Sequence, residues 1–251
     1  MEQPVILNEV TCEIKEKLRK SFSLTIFVGA GISLSSGIAT FRGAGKEKYF
    51  QGAYNPSYLS SRQGFAQYPK IAWQYFKHTY ELVKNTNPNI AHQTLVTWQK
   101  EIMRHKKLYL LTTNYDGLIN KAGGQAAELH GNINEAICSS CQQIYLMEKL
   151  NLNALPPLCN CGNILIPNIV LLNFLIKKEH YELALTATRG SSTYIAIGTS
   201  GVTNHSYGFM KAIKLRPNTT LIEINPRPSH LTKDMNYVIR GKAEDIMPQF
   251  N

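Results

Sequence analysis

What this 251-residue sequence lacks narrows the field first. No apolar run approaches the roughly 20 residues that a membrane-spanning helix needs. The opening stretch from Met1 to Lys20 has no basic segment leading an apolar core and a small-residue cleavage site. Both absences lead us to expect a cytoplasmic protein with no membrane partner. Acidic residues are scarce, 17 Asp plus Glu against 27 Lys plus Arg, so the formal charge is +10 and the surface should attract anions. The basic residues are spread along the chain with no block of like charge. The expectation is therefore a solvated positive surface, with nucleic acid only a secondary candidate partner. No internal repeat or low-complexity tract is present, and 43% apolar residues suffice for a substantial core, either one large domain or one domain carrying an insertion.

Cysteine is sparse as well, and unevenly placed. Cys12 stands alone and is expected to pack on a helix; the other four fall between Cys138 and Cys161. In a reducing compartment such a cluster reads as a metal site before it reads as disulfides. The spacing is Cys138-x-x-Cys141, 17 intervening residues, then Cys159-x-Cys161. Two close pairs of thiolates suit a tetrahedral zinc ion, and with every position filled by protein the zinc is structural, with no place for a reactive water.

The hydrophobic pattern predicts a charged helix over 8–20, then a buried strand Leu24, Ile26, Phe27 and Val28 that runs straight into Gly29-Ala30-Gly31. Residues 43–66 lack periodicity and read as an irregular or mobile excursion. Ile71, Ala72, Tyr75, Phe76, Leu82 and Val83 recur at helical spacing, and a second helix starts after Pro88-Asn89. Leu108 to Leu111 form a strand ending at Thr112-Thr113-Asn114-Tyr115-Asp116, followed by Glu128-Leu129-His130-Gly131. Beyond the cysteines, short apolar runs at Ile169–Leu172, Tyr194–Ile197 and Leu221–Ile224 are separated by helix-length segments. Together these predict an α/β fold: a Rossmann-like parallel sheet with helices on both faces, a helical insertion and a small zinc-binding module. The expected division is 1–43, 86–130 and 167–251 for the nucleotide-binding domain, 44–85 for a helical and flexible insertion, and 131–166 for the zinc module.

Three segments carry the candidate chemistry. A glycine turn after a strand lets backbone N–H groups approach a pyrophosphate at a helix N-terminus, although any tight strand-to-helix turn uses glycine too. The acidic residue that a dehydrogenase fold places about 20 positions on is represented only by Glu47, in a stretch with no strand, which argues against simple hydride transfer. Asn114 and Asp116 stand at a strand tip, where open α/β sheets bind ligands, and an Asx-turn capping the next helix is the plain alternative. His130 offers an imidazole able to serve as general base, against the commoner role of a satisfied structural histidine.

Taken in order, these residues resemble the sirtuins, the NAD-dependent protein lysine deacylases, from about Leu24 to Pro248. Gly29 to Gly43 resembles the family's Gly-Ala-Gly-x-Ser-x-x-Ser-Gly-Ile-Pro-x-Phe-Arg-Gly, with Ala39 in place of Pro and Thr40 where many members have Asp. Pro88-Asn89-Ile90-Ala91-His92 resembles Pro-Asn-x-x-His, and Thr112 to Asp116 resembles Thr-Gln-Asn-Ile-Asp. His130-Gly131, Gly198-Thr199-Ser200, Ile224-Asn225, Gly241-Lys242-Ala243 and Ile246-Met247-Pro248 complete the match.

The resemblance implies NAD as co-substrate, a structural zinc on Cys138, Cys141, Cys159 and Cys161, and an acyl-lysine protein or peptide as partner. It implies NAD contacts from Gly29, Ala30, Gly31, Ser33, Ile38, Phe41, Arg42, Thr113, Asn114, Tyr115, Asp116, Gly198, Thr199, Ser200, Asn225, Lys242 and Ala243. Among these, Asp116 would hold the nicotinamide amide and Asn114 the ribose or a water. His130 would deprotonate a ribose hydroxyl, and the products would be nicotinamide, deacylated lysine and O-acyl-ADP-ribose.

Two departures shape the expectation. The family's substrate strand, Pro-x-Val-Val-x-Phe-Gly-Glu, is here Pro167-Asn168-Ile169-Val170-Leu171-Leu172-Asn173-Phe174. Where members that remove acidic acyl groups carry Tyr-x-x-Arg, this chain has Phe76-Lys77-His78-Thr79, which implies a neutral acyl group. Thr113 in place of Gln resembles sirtuin-like NAD hydrolases, so hydrolysis or mono-ADP-ribosyl transfer is the alternative. A non-catalytic nucleotide- or nucleic-acid-binding module is the second.

Overall fold

A computed structural model describes residues 7–38, 55–172, 174–202 and 204–250. Helix α1 (Leu7–Lys20) leads into β1 (Ser23–Val28), and a 3-10 turn (Ala30–Ser36) follows. Next come α2 (Pro56–Leu59), α3 (Arg62–Gln67), α4 (Pro69–Lys84), α5 (Ile90–Ile102), β2 (Lys107–Thr112), α6 (Leu118–Lys121) and β3 (Ala127–Glu128). Strands β4 (Gly131–Cys138), β5 (Ile144–Leu146) and β6 (Leu165–Ile169) precede α7 (Lys178–Gly190), β7 (Thr193–Ile197) and α8 (Asn204–Lys214). The chain closes with β8 (Thr220–Ile224), β9 (Tyr237–Ile239) and α9 (Ala243–Ile246).

The large sheet is parallel throughout, in the order β3-β2-β1-β7-β8-β9. The first three strands wind outward one way from β1 and the last three the other way from β7. Strand order therefore reverses between β1 and β7, which is where doubly wound sheets open a crevice for ligands. Alternation along the strands builds two cores. Ile26, Ile195 and Ile222 face α1, α5 and α9, whereas Phe27, Tyr194, Ala196 and Leu221 face α7 and α8. This is the α/β sheet with helices on both faces that the apolar runs predicted.

A second sheet, β5-β4-β6, is antiparallel. The apolar run that begins at Ile169 was expected in the parallel sheet; instead β6 ends there, paired antiparallel with β4. A short apolar run shows that a strand is buried but not which sheet receives it. Helices α2 to α4 pack on this small sheet in a third core: Leu59, Phe65, Trp73 and Phe76 meet Ile133, Ala136 and Leu165. The Trp73 indole N–H donates to the Leu165 carbonyl at 2.7 Å.

The excursion expected to be irregular contains two short helices in its described part. Asn55 caps α2 with Pro56 behind it, and the Ser61 hydroxyl accepts from Gly64 N–H to start α3. Cys12 does not pack as expected. It is exposed on α1, where Ile14 takes the buried position.

Candidate active site

The carboxyl edge of the parallel sheet is laced by backbone hydrogen bonds in which the residue just past each strand donates to its neighbour. Leu129 N–H donates to Thr112 O (2.8 Å), Thr113 to Val28 O (3.1 Å), Gly29 to Ile197 O (2.9 Å), Gly198 to Ile224 O (3.0 Å) and Asn225 to Ile239 O (3.1 Å). The register therefore brings the tips that carry His130, Asn114, Gly31, Thr199 and Asn225 to one edge. Lys242 and Ala243 follow β9 on that same edge, and α9 packs on the 3-10 turn after β1.

At the switch point the two central turns are pressed together. Gly31 N–H donates to Gly198 O at 2.8 Å. A Cβ at Gly29 would lie 2.7 Å from Thr199 Cα, and one at Gly31 would lie 2.7 Å from Gly198 O. Gly198 itself has φ +60 and faces Ile32 N just as closely. These three positions need glycine for close approach of backbone to backbone at the switch point.

Behind the turn lies a buried polar network. Ser33 and His92 have no exposed surface, and Asn114 and Asp116 keep only 6% each. The Ser33 hydroxyl donates to Asp116 Oδ2 at 2.7 Å and receives Asn114 Nδ2 at 3.3 Å, and His92 Nε2 lies 3.4 Å from it. Asp116 Oδ1 accepts Leu118 N–H at 3.0 Å, an Asx-turn that leads into α6. Burial pushes the Asp116 carboxyl upward, opposed by the donors from Leu118, Ser33 and Asn114. Burial lowers His92 to about 4, so its ring is neutral near pH 7. Asn89 and His92 bond each other's backbone N–H groups in a capping box that starts α5. Asn114 Oδ1 is buried with no hydrogen-bond partner. A buried acceptor in that state costs stability, which suits an atom kept for a ligand's donor.

His130 is half-buried on the turn after β3, the strand paired with β2, and its carbonyl accepts Val170 N–H at 2.8 Å. Gly131 has φ +76, and a Cβ there would stand 2.0 Å from Asn168 O, so the turn lies flat against the 167–172 segment. Leu172 N–H donates to Ser60 O at 2.7 Å, tying that segment to the α2–α3 connection. Of the other residues expected to contact a nucleotide, Thr113 is half-buried at the tip of β2, and Ser200 is exposed. The Asn225 amide donates to Thr199 O at 2.7 Å. Ile38 and Tyr115 join the apolar third core, and Ile38 N–H donates to Ser33 O at 3.2 Å. Phe41, Arg42, Ala39, Thr40, Glu47 and Asn173 lie outside the described residues. Sequence reasoning gave Glu128 no role beyond its place in the Glu128-Leu129-His130-Gly131 segment; it ends β3, just before the turn that carries His130.

The four clustered cysteines are free thiols whose sulfur atoms all lie within 4.8 Å of one another. Cys138 and Cys161 approach to 3.5 Å, as do Cys141 and Cys159. Thiolates about 2.3 Å from a tetrahedral zinc would stand about 3.8 Å apart, so the donor set and spacing fit that ion. The Tyr145 hydroxyl and the Asn163 amide lie against Cys159 and Cys161 as outer partners. Cys138 is the last residue of β4 and Gly131 the first, which puts the cluster roughly 23 Å along the strand from His130.

A parallel sheet of this order, with a glycine turn at its switch point and buried polar side chains behind it, defines a dinucleotide-binding α/β protein. Residues 29–204 match the model of the Sir2 family. The NAD-dependent protein deacylase 2 of Pyrobaculum aerophilum is 30% identical over 239 residues, covering 94% of this chain and 92% of that protein. A Sir2 homolog–NAD complex matches with TM-score 0.86 and 30% identity over 95% of this chain and 91% of its own. A mutant Sir2 homologue bound to 2'-O-acetyl ADP ribose matches with TM-score 0.85 and 31% identity over 95% and 94%. The chain belongs to the Sir2 family.

Proposed function

We propose that this chain is an NAD-dependent protein lysine deacylase that releases nicotinamide and passes the acyl group to ADP-ribose. The observation that carries the reading is the unpartnered Asn114 Oδ1 in a buried network at the switch point. It is supported by the relatives' activity and by the NAD and acetyl-ADP-ribose held by similar structures. Bound NAD supplies an electrophilic ribose carbon with nicotinamide as its leaving group. The pyrophosphate lies against the Gly29-Ala30-Gly31 turn at the switch point, behind which Ser33 holds Asp116. Asn114 accepts from the ribose or an ordered water, and Asp116, held by Ser33 and Leu118, takes the carboxamide. His130 removes a ribose hydroxyl proton. The tips bearing Gly198, Thr199, Ser200, Asn225, Lys242 and Ala243 carry the adenosine side, and Thr113 lines the β2 tip.

The acyl-lysine peptide lies along 167–172, beside His130. Cys138, Cys141, Cys159 and Cys161 hold zinc, which fixes the small sheet from far outside the reaction. We assign residues 1–43, 86–130 and 167–251 to the nucleotide-binding domain, 44–85 to the helical insertion and 131–166 to the zinc module. Among the described residues no helix is long and apolar enough to cross a membrane. We place the protein in the cytoplasm, where a reduced cysteine cluster of this kind persists.

The test is product analysis by mass after incubation with NAD, with and without an acetyl-lysine peptide. Nicotinamide and O-acetyl-ADP-ribose formed only with peptide support the proposal. Peptide-independent ADP-ribose would favour NAD hydrolysis, the reading that Thr113 suggests, and absence of nicotinamide release would contradict both.

A further inference from the structure

Glu128 ends β3 two residues before His130, and its carboxylate is held from two sides. Asn132 Nδ2 donates to both of its oxygens, at 3.0 and 2.8 Å, and Asn120 Nδ2 from α6 donates to Oε1 at 3.1 Å. Residues 128 and 132 bracket the His130-Gly131 turn, so the carboxylate–amide contact closes that turn like a clasp. The same asparagine is anchored on its other side. Asn132 Oδ1 accepts both the backbone N–H of Asn134 (2.9 Å) and its side-chain amide (2.8 Å). Those two amides press on Gly117, where an added Cβ would lie 3.0 Å from Asn134 Nδ2 and 3.2 Å from Asn132 Nδ2. Ile133 N–H donates to Tyr115 O at 2.9 Å. The turn that carries Asp116 and the turn that carries His130 are thus joined by these side chains together with the backbone bond from Ile133 to Tyr115.

We propose that Glu128 and Asn132 form a brace that sets His130 relative to Asp116, which makes Glu128 a positioning residue for proton removal by His130. The inference rests on the proposed reaction for its consequence but not for its geometry. Burial raises Glu128 to about 7, and Asp116 and Glu135, the charged groups facing it, push the same way against the pull of Asn132. Above that pH the ionised carboxylate accepts all three amide contacts. Below it the carboxyl carries a proton of its own and gives up acceptor capacity, so the brace loosens as pH falls. The ionised form is held at a cost to the fold, because the folded group binds its proton more tightly than the unfolded one.

The test compares Glu128→Gln, Glu128→Ala and wild type. Glu128→Gln should lower kcat on the order of tenfold while the KM for NAD moves less than about threefold, a loss in the range that small misplacements cause. Its Tm at about pH 8 should stay unchanged or rise, since the buried charge is gone. A purely structural role would instead lower Tm and leave kcat per folded molecule intact. The acid limb of log(kcat/KM) against pH should carry a step near 7 in wild type that is absent in Glu128→Gln. Glu128→Ala should lose more activity than Glu128→Gln, which keeps one acceptor. In 15N-labelled wild type the Asn132 side-chain amide should titrate with a midpoint near 7, and the titration should vanish in Glu128→Gln. An Asn132 amide that does not titrate would overturn the brace whether or not the protein turns over NAD. Turnover by Glu128→Gln equal to wild type would overturn its role, whereas a wild-type protein that does not turn over NAD at all would count against the proposed reaction instead.

Discussion

Asn114 Nδ2 reaches Ser33 at 3.3 Å and also acts as a donor towards Asp116, while its Oδ1 has no partner. Such a residue contributes little to folding and much to whatever it receives. We predict that Asn114→Ala lowers the rate of nicotinamide release by on the order of a hundredfold, the usual cost of deleting a preorganised polar contact. Its Tm, measured by calorimetry, should fall by less than about 3 °C. A normal rate would remove Asn114 from the site. His92 behaves in the opposite way. Its folded pKa of about 4 lies below the unfolded value near 6.5, so the unfolded chain takes up the proton first as pH falls. Stability should therefore drop by roughly 3 kcal/mol between about pH 6.5 and 4. His92→Gln, followed by urea unfolding across that window, should flatten the dependence. The strand tip that carries Asn114 and Asp116 was legible because it ends the apolar run Leu108 to Leu111. The contact between Ser33 and His92 was not, because it spans 59 positions that only the folded sheet brings together.

Elements show the same division between local and distant information. Strands β1, β2, β7 and β8 were readable because each is a short apolar run bounded by turn residues, α4 because its apolar positions recur at helical spacing and α5 from its Pro88-Asn89 start, whereas the short edge strands β3 and β9 carry too little pattern to be seen. The pairing of β6 with β4 was not readable, since register across a sheet depends on partners far away in sequence. The glycine turns join the two levels. We predict that Gly31→Ala, which sets a Cβ 2.7 Å from Gly198 O, costs about 2 kcal/mol or more and weakens NAD binding measured by titration calorimetry. Gly190→Ala, in the last turn of α7 with nothing near the added atom, should leave both unchanged or slightly improve stability. Equal effects at the two positions would mean that the β1 and β7 turns do not need their close approach.

At the scale of the whole molecule, part of the positive charge has a structural use. Lys106 donates to the carbonyls of Leu18 and Arg19 at the end of α1, and Arg216 donates to those of Arg189 and Ser191 at the end of α7. Cations at helix C-termini satisfy orphan carbonyls and oppose the dipole, which fits the solvated surface that the spread of basic residues implied. The cysteine cluster stabilises the small sheet from its far end. Chelating the metal, or replacing Cys138 by Ser, should lower Tm by roughly 10 °C or more while folded molecules keep their turnover. Chelation that stops turnover at unchanged Tm would move zinc into the reaction.

The central claim is that the glycine turn, the β2 tip and the imidazole surround one nicotinamide riboside. The most direct measurement is made on His130→Ala: NAD affinity by titration calorimetry, together with O-acetyl-ADP-ribose yield on an acetyl-lysine peptide. We predict affinity within about threefold of wild type and acyl transfer reduced by at least about a thousandfold. A variant that still transfers the acyl group at the wild-type rate would contradict the account.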